Sequence, residues 1–178
     1  MKVLIVVGAK KNGNTDQLVK QFAKGASSAG HDVEVEYLFG KDIHGCIDCQ
    51  TCMRTGVCVW KDDFPAMLEK VMAADVIAFA SPVYFFSISA QLKTFLDRTY
   101  AAYGKLSGTR VIFLSTAGGS SEKWMHELQK AVGTIEGWAI CFDDMVFEKS
   151  IGHWDMETTD DITATTAFAE AEAVGASL

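Results

Sequence analysis

Three short runs, residues 3–7, 76–80 and 111–115, are apolar almost throughout and rich in β-branched side chains. A strand with no polar alternation has no face to offer water, so each run must be buried on both sides. That condition is met by a parallel sheet with helices packed on each face. A fourth run, 33–38, alternates Val33, Glu34, Val35 and Glu36, which suits an outer strand with one wetter face. The apolar segment 138–147 predicts a fifth strand.

Helical spacing fills the intervals. Leu18, Val19, Phe22, Ala23 and Ala26 follow Asn14; Met67, Leu68, Val71 and Met72 follow Pro65; Leu92, Phe95, Leu96 and Thr99 follow Ser89; Met125, Leu128, Gln129 and Val132 follow Ser121. Residues 161–174 predict a closing helix. Strands alternating with helices predict a doubly wound α/β fold, a five-stranded parallel sheet with helices on both faces in the flavodoxin-like order 2-1-3-4-5. With 178 residues, 49% of them hydrophobic, the chain is expected to form one domain over 1–178, carrying a cysteine-rich insertion at about 40–60.

The net charge of -7 argues against an electrostatic grip on nucleic acid. Six acids and no Lys or Arg follow Lys149, and this acidic end reads as a solvated face. The longest apolar stretch, 76–86, is broken by Ser81 and Pro82 and falls short of the ~20 residues of a membrane span. The run at 3–7 is too short for a signal sequence. The expected location is cytoplasmic.

In such sheets ligands bind beyond the carboxyl ends of the strands, in the loops after strands one, three and four. The first loop, Gly8-Ala9-Lys10-Lys11-Asn12-Gly13-Asn14-Thr15, combines glycines, lysines and small polar residues at the start of a helix, as an anion cradle requires. It is also a tight turn, with Asn14 as helix cap and Gln17 as its capping-box partner. Asn14 stands where a triphosphate-binding loop needs lysine, so a monophosphate fits better. The second loop places Tyr84, Phe85 and Phe86 in succession, rings that either pack inward or await a flat ligand. The third, Thr116-Ala117-Gly118-Gly119, offers backbone N–H groups at close range.

Four of five cysteines form the pattern CxxCxxCx5C: Cys46, Cys49, Cys52 and Cys58. The first three can present their sulfurs to one centre from a tight loop, as iron–sulfur ligation requires. A four-thiolate zinc site and reversible thiols are the alternatives. Cys141 reads as a small core hydrophobe, and Trp124, Trp138 and Trp154 as core packing. His44 reads as a surface residue, Asp62 and Asp63 as helix caps, and Lys93 with Asp97 as an i,i+4 pair. His126 and His153 have no evident partners.

The loop ending in Asn12-Gly13-Asn14-Thr15, the segment Ser81-Pro82-Val83-Tyr84, and the run from Gln91-Leu92-Lys93 to Asp97-Arg98 occur in order over roughly the first 120 residues. Together they resemble the NADPH-dependent FMN reductase and iron-sulfur flavoprotein family of flavodoxin-like proteins. The first loop is one residue shorter than that family's usual Gly-Ser-Pro-Arg-Lys-Asn-Gly-Asn-Thr and has Ala9 at the serine.

The resemblance implies an FMN-dependent NAD(P)H oxidoreductase that passes electrons to a flavin, quinone or protein acceptor. Lys11, Asn12, Asn14 and Thr15, in a loop with Ala9 and Gly13, would hold the FMN phosphate. Pro82, Val83, Tyr84, Phe85 and Phe86, with Thr116, Ala117, Gly118 and Gly119, would border the isoalloxazine. The compact cysteine motif resembles the one with which iron-sulfur flavoproteins hold a [4Fe-4S] cluster, which assigns Cys46, Cys49, Cys52 and Cys58 as its ligands. The expected assembly is a homodimer or homotetramer. A flavin and iron–sulfur electron carrier without its own nicotinamide substrate is the alternative, and a nucleotide-phosphate module without redox activity is a third.

Overall fold

The structure, a computed structural model, describes residues 1–119 and 122–178, with the backbone alone over 122–127. Five parallel strands, β1 (Lys2–Val7), β2 (Asp32–Tyr37), β3 (Val76–Pro82), β4 (Arg110–Thr116) and β5 (Val146–His153), lie in the order β2-β1-β3-β4-β5. Every neighbouring pair is parallel. This is the flavodoxin-like order expected from the alternation of strands and helices.

The three apolar runs lie in the three central strands, and from Val3 to Val7 no side chain is more than 3% exposed. Successive residues point to opposite faces. Leu4, Val6, Ile77, Phe79, Val111 and Phe113 therefore meet α3 (Phe64–Ala73), α4 (Ala90–Arg98) and α5 (Glu122–Ala139). Val3, Ile5, Val7, Ala78, Ala80, Ile112 and Leu114 meet α1 (Asn14–Ser28) and α6 (Thr166–Ala176). Trp138 packs edge-on against Phe79 at 4.9 Å and donates to the Thr99 hydroxyl at 2.7 Å, so it is core as expected.

The fifth strand departs from expectation. Ala131, Ile135 and Ala139 are buried at helical spacing, so 138–139 end α5 and the strand begins at Val146. β5 is an edge strand in which Ile151 alone is fully buried, and a register shift skips Glu148 opposite Val111 and Ile112. An edge strand this polar leaves little apolar signature. The closing segment also divides, into a 3-10 turn at Asp161–Ala164 and then α6. Cys141, past the end of α5, is exposed rather than core. The side chains of Trp124 and His126 lie outside the described residues. Among the described residues no helix is long and apolar enough to cross a membrane.

Two glycines let α1 and α6 cross in contact. A Cβ on Gly25 would lie 2.0 Å from the Glu172 carbonyl oxygen, and one on Gly175 would lie 2.3 Å from that of Phe22. Neither obstacle can move without shifting a helix. Gly133, in the interior of α5, faces open space. We therefore expect Gly25→Ala to cost ~1–3 kcal/mol through overpacking and Gly133→Ala to add about 0.5–1 kcal/mol through helix propensity. Urea denaturation midpoints check both, and equal effects at the two positions would contradict the close crossing.

Candidate functional site

The carboxyl ends of β1, β3 and β4 open into a cleft of about 420 Å³. Gly8 sets the turn after β1, because a Cβ there would meet the Ser89 hydroxyl at 2.6 Å and Leu92 at 2.8 Å. Its amide prolongs the sheet by donating to the Ala80 carbonyl at 2.7 Å. Ser89 caps α4 by accepting from the Leu92 amide, and its own amide donates to the Ser81 hydroxyl at 2.8 Å. The start of α4 is thus pinned beneath the first loop.

Asp16, fully buried in the first turn of α1, shapes that loop. It accepts from the Asn12 amide at 2.8 Å, the Tyr37 hydroxyl at 2.5 Å and the Lys20 ammonium at 2.7 Å. Burial pushes its carboxyl up, but the hydrogen bonds from Lys20, Tyr37 and Asn12 outweigh burial and hold it below its ordinary value. Burial and the Asp16 charge push the Tyr37 phenol up, so it stays a donor. Asn12 itself takes a left-handed conformation, φ +62°.

Of the expected phosphate-loop residues, Ala9, Gly13, Asn14 and Thr15 line the cleft. Thr15 shares a 2.6 Å hydrogen bond with Thr116 across the floor. Lys11 turns away, its ammonium 4.7 Å from the Tyr37 ring, and Lys10 lines the cleft instead. The expected capping box does not form. Gly13 is the N-cap without a side-chain bond, and the Asn14 amide group donates to the Thr158 carbonyl at 2.5 Å and accepts from the Ile162 amide at 3.0 Å. Gln17 reaches Thr159 and Asp160. These bonds hold a fourth wall, Met156, Glu157, Thr158 and Thr159, against the cleft. A fifth strand expected at 138–147 leaves that wall unmarked in the sequence; with the strand at 146–153, the same rule about carboxyl ends points to it.

Pro82, Val83, Tyr84, Thr116, Ala117 and Gly118 form the rest of the cleft. Beyond them, Val83, Tyr84, Phe85, Phe86, Ala117, Gly118 and Leu128 line an adjoining groove of about 310 Å³. Gly119 lines neither, and its carbonyl accepts from the Asp155 amide at 3.1 Å. Tyr84 and Ser87 exchange two backbone hydrogen bonds, of 2.9 and 3.0 Å, around Phe85 and Phe86 at φ +48° and +64°. That is a type I′ turn, which ordinarily takes Asn and Gly. Phe85 is 100% exposed.

The cysteine loop joins β2 to α3 and contains the five-residue α2 (Thr51–Thr55). Its two ends are clamped by one buried ion pair. Arg98 grips Asp62 at 2.7 and 3.1 Å, donates to the His44 carbonyl at 2.7 Å and stacks on Phe64. Asp62 also accepts from the amides of His44 and Phe64, so its capping role is secondary to the pair. Asp63 makes no side-chain cap and instead accepts from the Asp42 amide. His44 stacks on Trp60 at 4.4 Å.

Cys46, Cys49, Cys52 and Cys58 are all free and line one small cavity with Trp60 and Tyr100. Among the described residues no three His, Cys, Asp or Glu side chains are placed to hold a single metal ion. A hydrogen bond from the Thr51 hydroxyl, then one from its amide, holds the exposed Cys49 thiol below its ordinary value.

A family model described as NADPH-dependent FMN reductase matches residues 1–143. An iron-sulfur flavoprotein of Archaeoglobus fulgidus is 29% identical over 95% of this chain and 80% of its own length. One of Methanocaldococcus jannaschii is 34% identical over 67% of this chain and 65% of its own. A crystal structure of an azoreductase from Bacillus anthracis superposes with a TM-score of 0.79 at 17% identity, covering 100% of both chains.

The Asp62–Arg98 clamp generates a pH prediction. Burial pushes the Asp62 carboxyl up, yet hydrogen bonds from Arg98, His44 and Phe64 hold it well below its ordinary 3.8. The folded state therefore binds that proton more weakly than the unfolded chain. The pair's contribution is complete above about pH 4 and is lost as pH falls through the lowered folded value. Asp62→Asn should cost ~3–5 kcal/mol at neutral pH and flatten the acid limb of urea midpoint against pH; an unaltered limb would refute the linkage.

Proposed function

The chain belongs to the NADPH-dependent FMN reductase family, a class of NAD(P)H-dependent flavin oxidoreductases, and within that class we propose that the cleft holds FMN and delivers electrons from NAD(P)H to a quinone, flavin or protein acceptor. The observation that carries this reading is the junction of two unlike spaces at one strand edge. The cleft, with Lys10, Asn14, Thr15 and Thr116 in its lining, meets the start of α1, and the aromatic groove shares its Val83, Tyr84, Ala117 and Gly118 walls. A phosphate needs the first and a flat ring the second.

The residues present fit the cofactor. Gly13, Asn14 and Thr15 bring the start of α1 to the cleft, where first-turn amides lack intrahelical acceptors and the helix dipole favours an anion. The Thr15 hydroxyl and Lys10 complete the phosphate cradle. Asn12 acts through its backbone turn, and Asn14 by holding the fourth wall. Pro82, Val83 and Tyr84 on one side and Thr116, Ala117 and Gly118 on the other border the ring. When bound, FMN supplies hydride acceptance and the onward release of one or two electrons. The chain's part is to orient the ring and set the charge around it.

The four thiols around one cavity are the soft donor set that an iron–sulfur cluster needs. Cys46, Cys49, Cys52 and Cys58 would hold a [4Fe-4S] cluster, and their loop is braced by the Arg98–Asp62 clamp independently of the cleft. A cytoplasmic homodimer or homotetramer is the proposed setting.

One anaerobic preparation, assayed for FMN, iron, sulfide and bleaching by NAD(P)H, tests both parts. Thr15→Val should weaken FMN by ~1–3 kcal/mol, read by fluorescence titration; unchanged affinity would place the phosphate elsewhere. Replacing Cys49 and Cys52 by serine should abolish bound iron while FMN remains, and a wild-type protein with FMN but neither iron nor sulfide would return the cysteines to thiol roles.

A further inference from the structure

Arg98 is a permanent cation that is only 2% exposed, and its hydrogen bonds leave one donor over. Nη1 and Nη2 grip Asp62 end-on, and Nη1 also reaches the His44 carbonyl, which turns Nε to the other edge of the guanidinium. That Nε is buried and has no hydrogen-bond partner among the described residues. A buried donor on a charged group is costly to leave unfilled, so the position calls for an acceptor. Cys58 stands where one is needed. It lines a groove with Phe64, the ring on which Arg98 stacks with Cζ at 4.5 Å, and it also lines the cavity of Cys46, Cys49 and Cys52. Burial pushes the guanidinium down, but the hydrogen bond to Asp62 and then the Cys58 sulfur beside it hold it above its ordinary value. A neutral thiol is a weak acceptor, whereas a thiolate ligand makes a strong, charge-assisted one. Arg54 and Lys61, cations of the same loop, are exposed and act through water.

We propose that Arg98 tunes the centre held by Cys46, Cys49, Cys52 and Cys58: its Nε–H donates to the Cys58 thiolate and favours the reduced centre. The inference rests on the cluster reading. When the centre takes one electron, no bond forms or breaks, and a single negative charge is added to the cluster and its sulfurs. A hydrogen bond from a fixed cation strengthens as that charge grows, and more so where water is excluded. FMN reduced by NAD(P)H supplies the electron, and Arg98 makes its acceptance more favourable. Asp62, at the far edge of the guanidinium, offsets part of the positive charge. The two members of one ion pair therefore push the potential in opposite directions, which a purely structural clamp would not do.

The test is an anaerobic redox titration of the protein loaded with FMN, iron and sulfide, read by the EPR signal of the reduced cluster. Arg98→Lys keeps a cation for Asp62 but lacks the planar fork that spans both partners. It should weaken the hold on the electron about tenfold, a fall of ~59 mV in potential, with iron per chain unchanged. Asp62→Asn should strengthen that hold about threefold, because it leaves the cation uncompensated. Equal potentials in wild type and Arg98→Lys, or shifts of one sign in the two variants, would overturn the assignment. Where either variant loses its fold or its iron, Arg98→Met combined with Asp62→Asn removes both charges at once. That protein's potential should lie below wild type, since the group nearer the sulfur is lost, and a value at or above wild type would also overturn the assignment. A wild-type protein that holds FMN but neither iron nor sulfide would instead overturn the cluster reading, and the role of Arg98 with it.

Discussion

Burial of the central sheet on both faces is the constraint from which the site follows. Over residues 3–7, 76–80 and 111–114, β1, β3 and β4 carry only buried apolar side chains, so helices must cover each face and every connection must return the chain to the end where the strands begin. All strands then run the same way, and their carboxyl ends gather the first turn of α1, the loop before α4 and the loop after β4 on one rim. Their apolar side chains stop at that rim, where Ser81, Ser115 and Thr116 replace aliphatic residues in buried positions. The change from apolar to hydroxyl is what turns the end of a core into the floor of a cleft.

Two buried carboxylates then fix what the core leaves loose. Asp16 ties the first loop to β2 through Tyr37, and Asp62 ties both ends of the cysteine loop to α4 through Arg98. A buried carboxylate is costly unless its oxygens are filled, and both are filled by a cation together with backbone amides. Each is therefore a device for holding an irregular loop in one shape rather than a source of net stability. Neither carboxylate lines the cleft, whose charge among the described residues comes from Lys10, Glu157 and the α1 terminus.

The central strands, their order and the loops at their carboxyl ends were legible because burial on both faces erases polar alternation, a signal that needs no partner to be read. Thr15, Thr116 and the Pro82–Tyr84 wall followed directly from that placement. Less legible was anything decided by contacts between distant segments. Trp138 and Ala139 look like strand residues until Ala131 and Ile135 place them on the same helical face. Lys10 and Lys11 are adjacent and alike, and only the Tyr37 ring, brought near by β2, separates their roles. Asn14 and Gln17 fit a local capping box, yet the loop at 158–162 outcompetes it for both side chains. Asp62 looks like a cap until Arg98, far along the chain, claims it.

The balance of charge at the cleft also bears on what size of anion it accepts. Lys10 and Glu157 both line the cleft, while Asp160 and Asp161 are engaged by Gln17 and Thr158 at its edge. Among the described residues, the cleft offers an anion the α1 amides and their dipole, equivalent to about half a positive charge, with the Thr15 hydroxyl and Lys10. That is enough for one phosphate approached by hydrogen bonds. A triphosphate would bring several charges against a wall that carries Glu157, with Lys10 the one ammonium among the described lining residues to meet them. The absence of a lysine at Asn14 points the same way, and the Asn14 amide is spent on Thr158 and Ile162 rather than left for a longer phosphate chain.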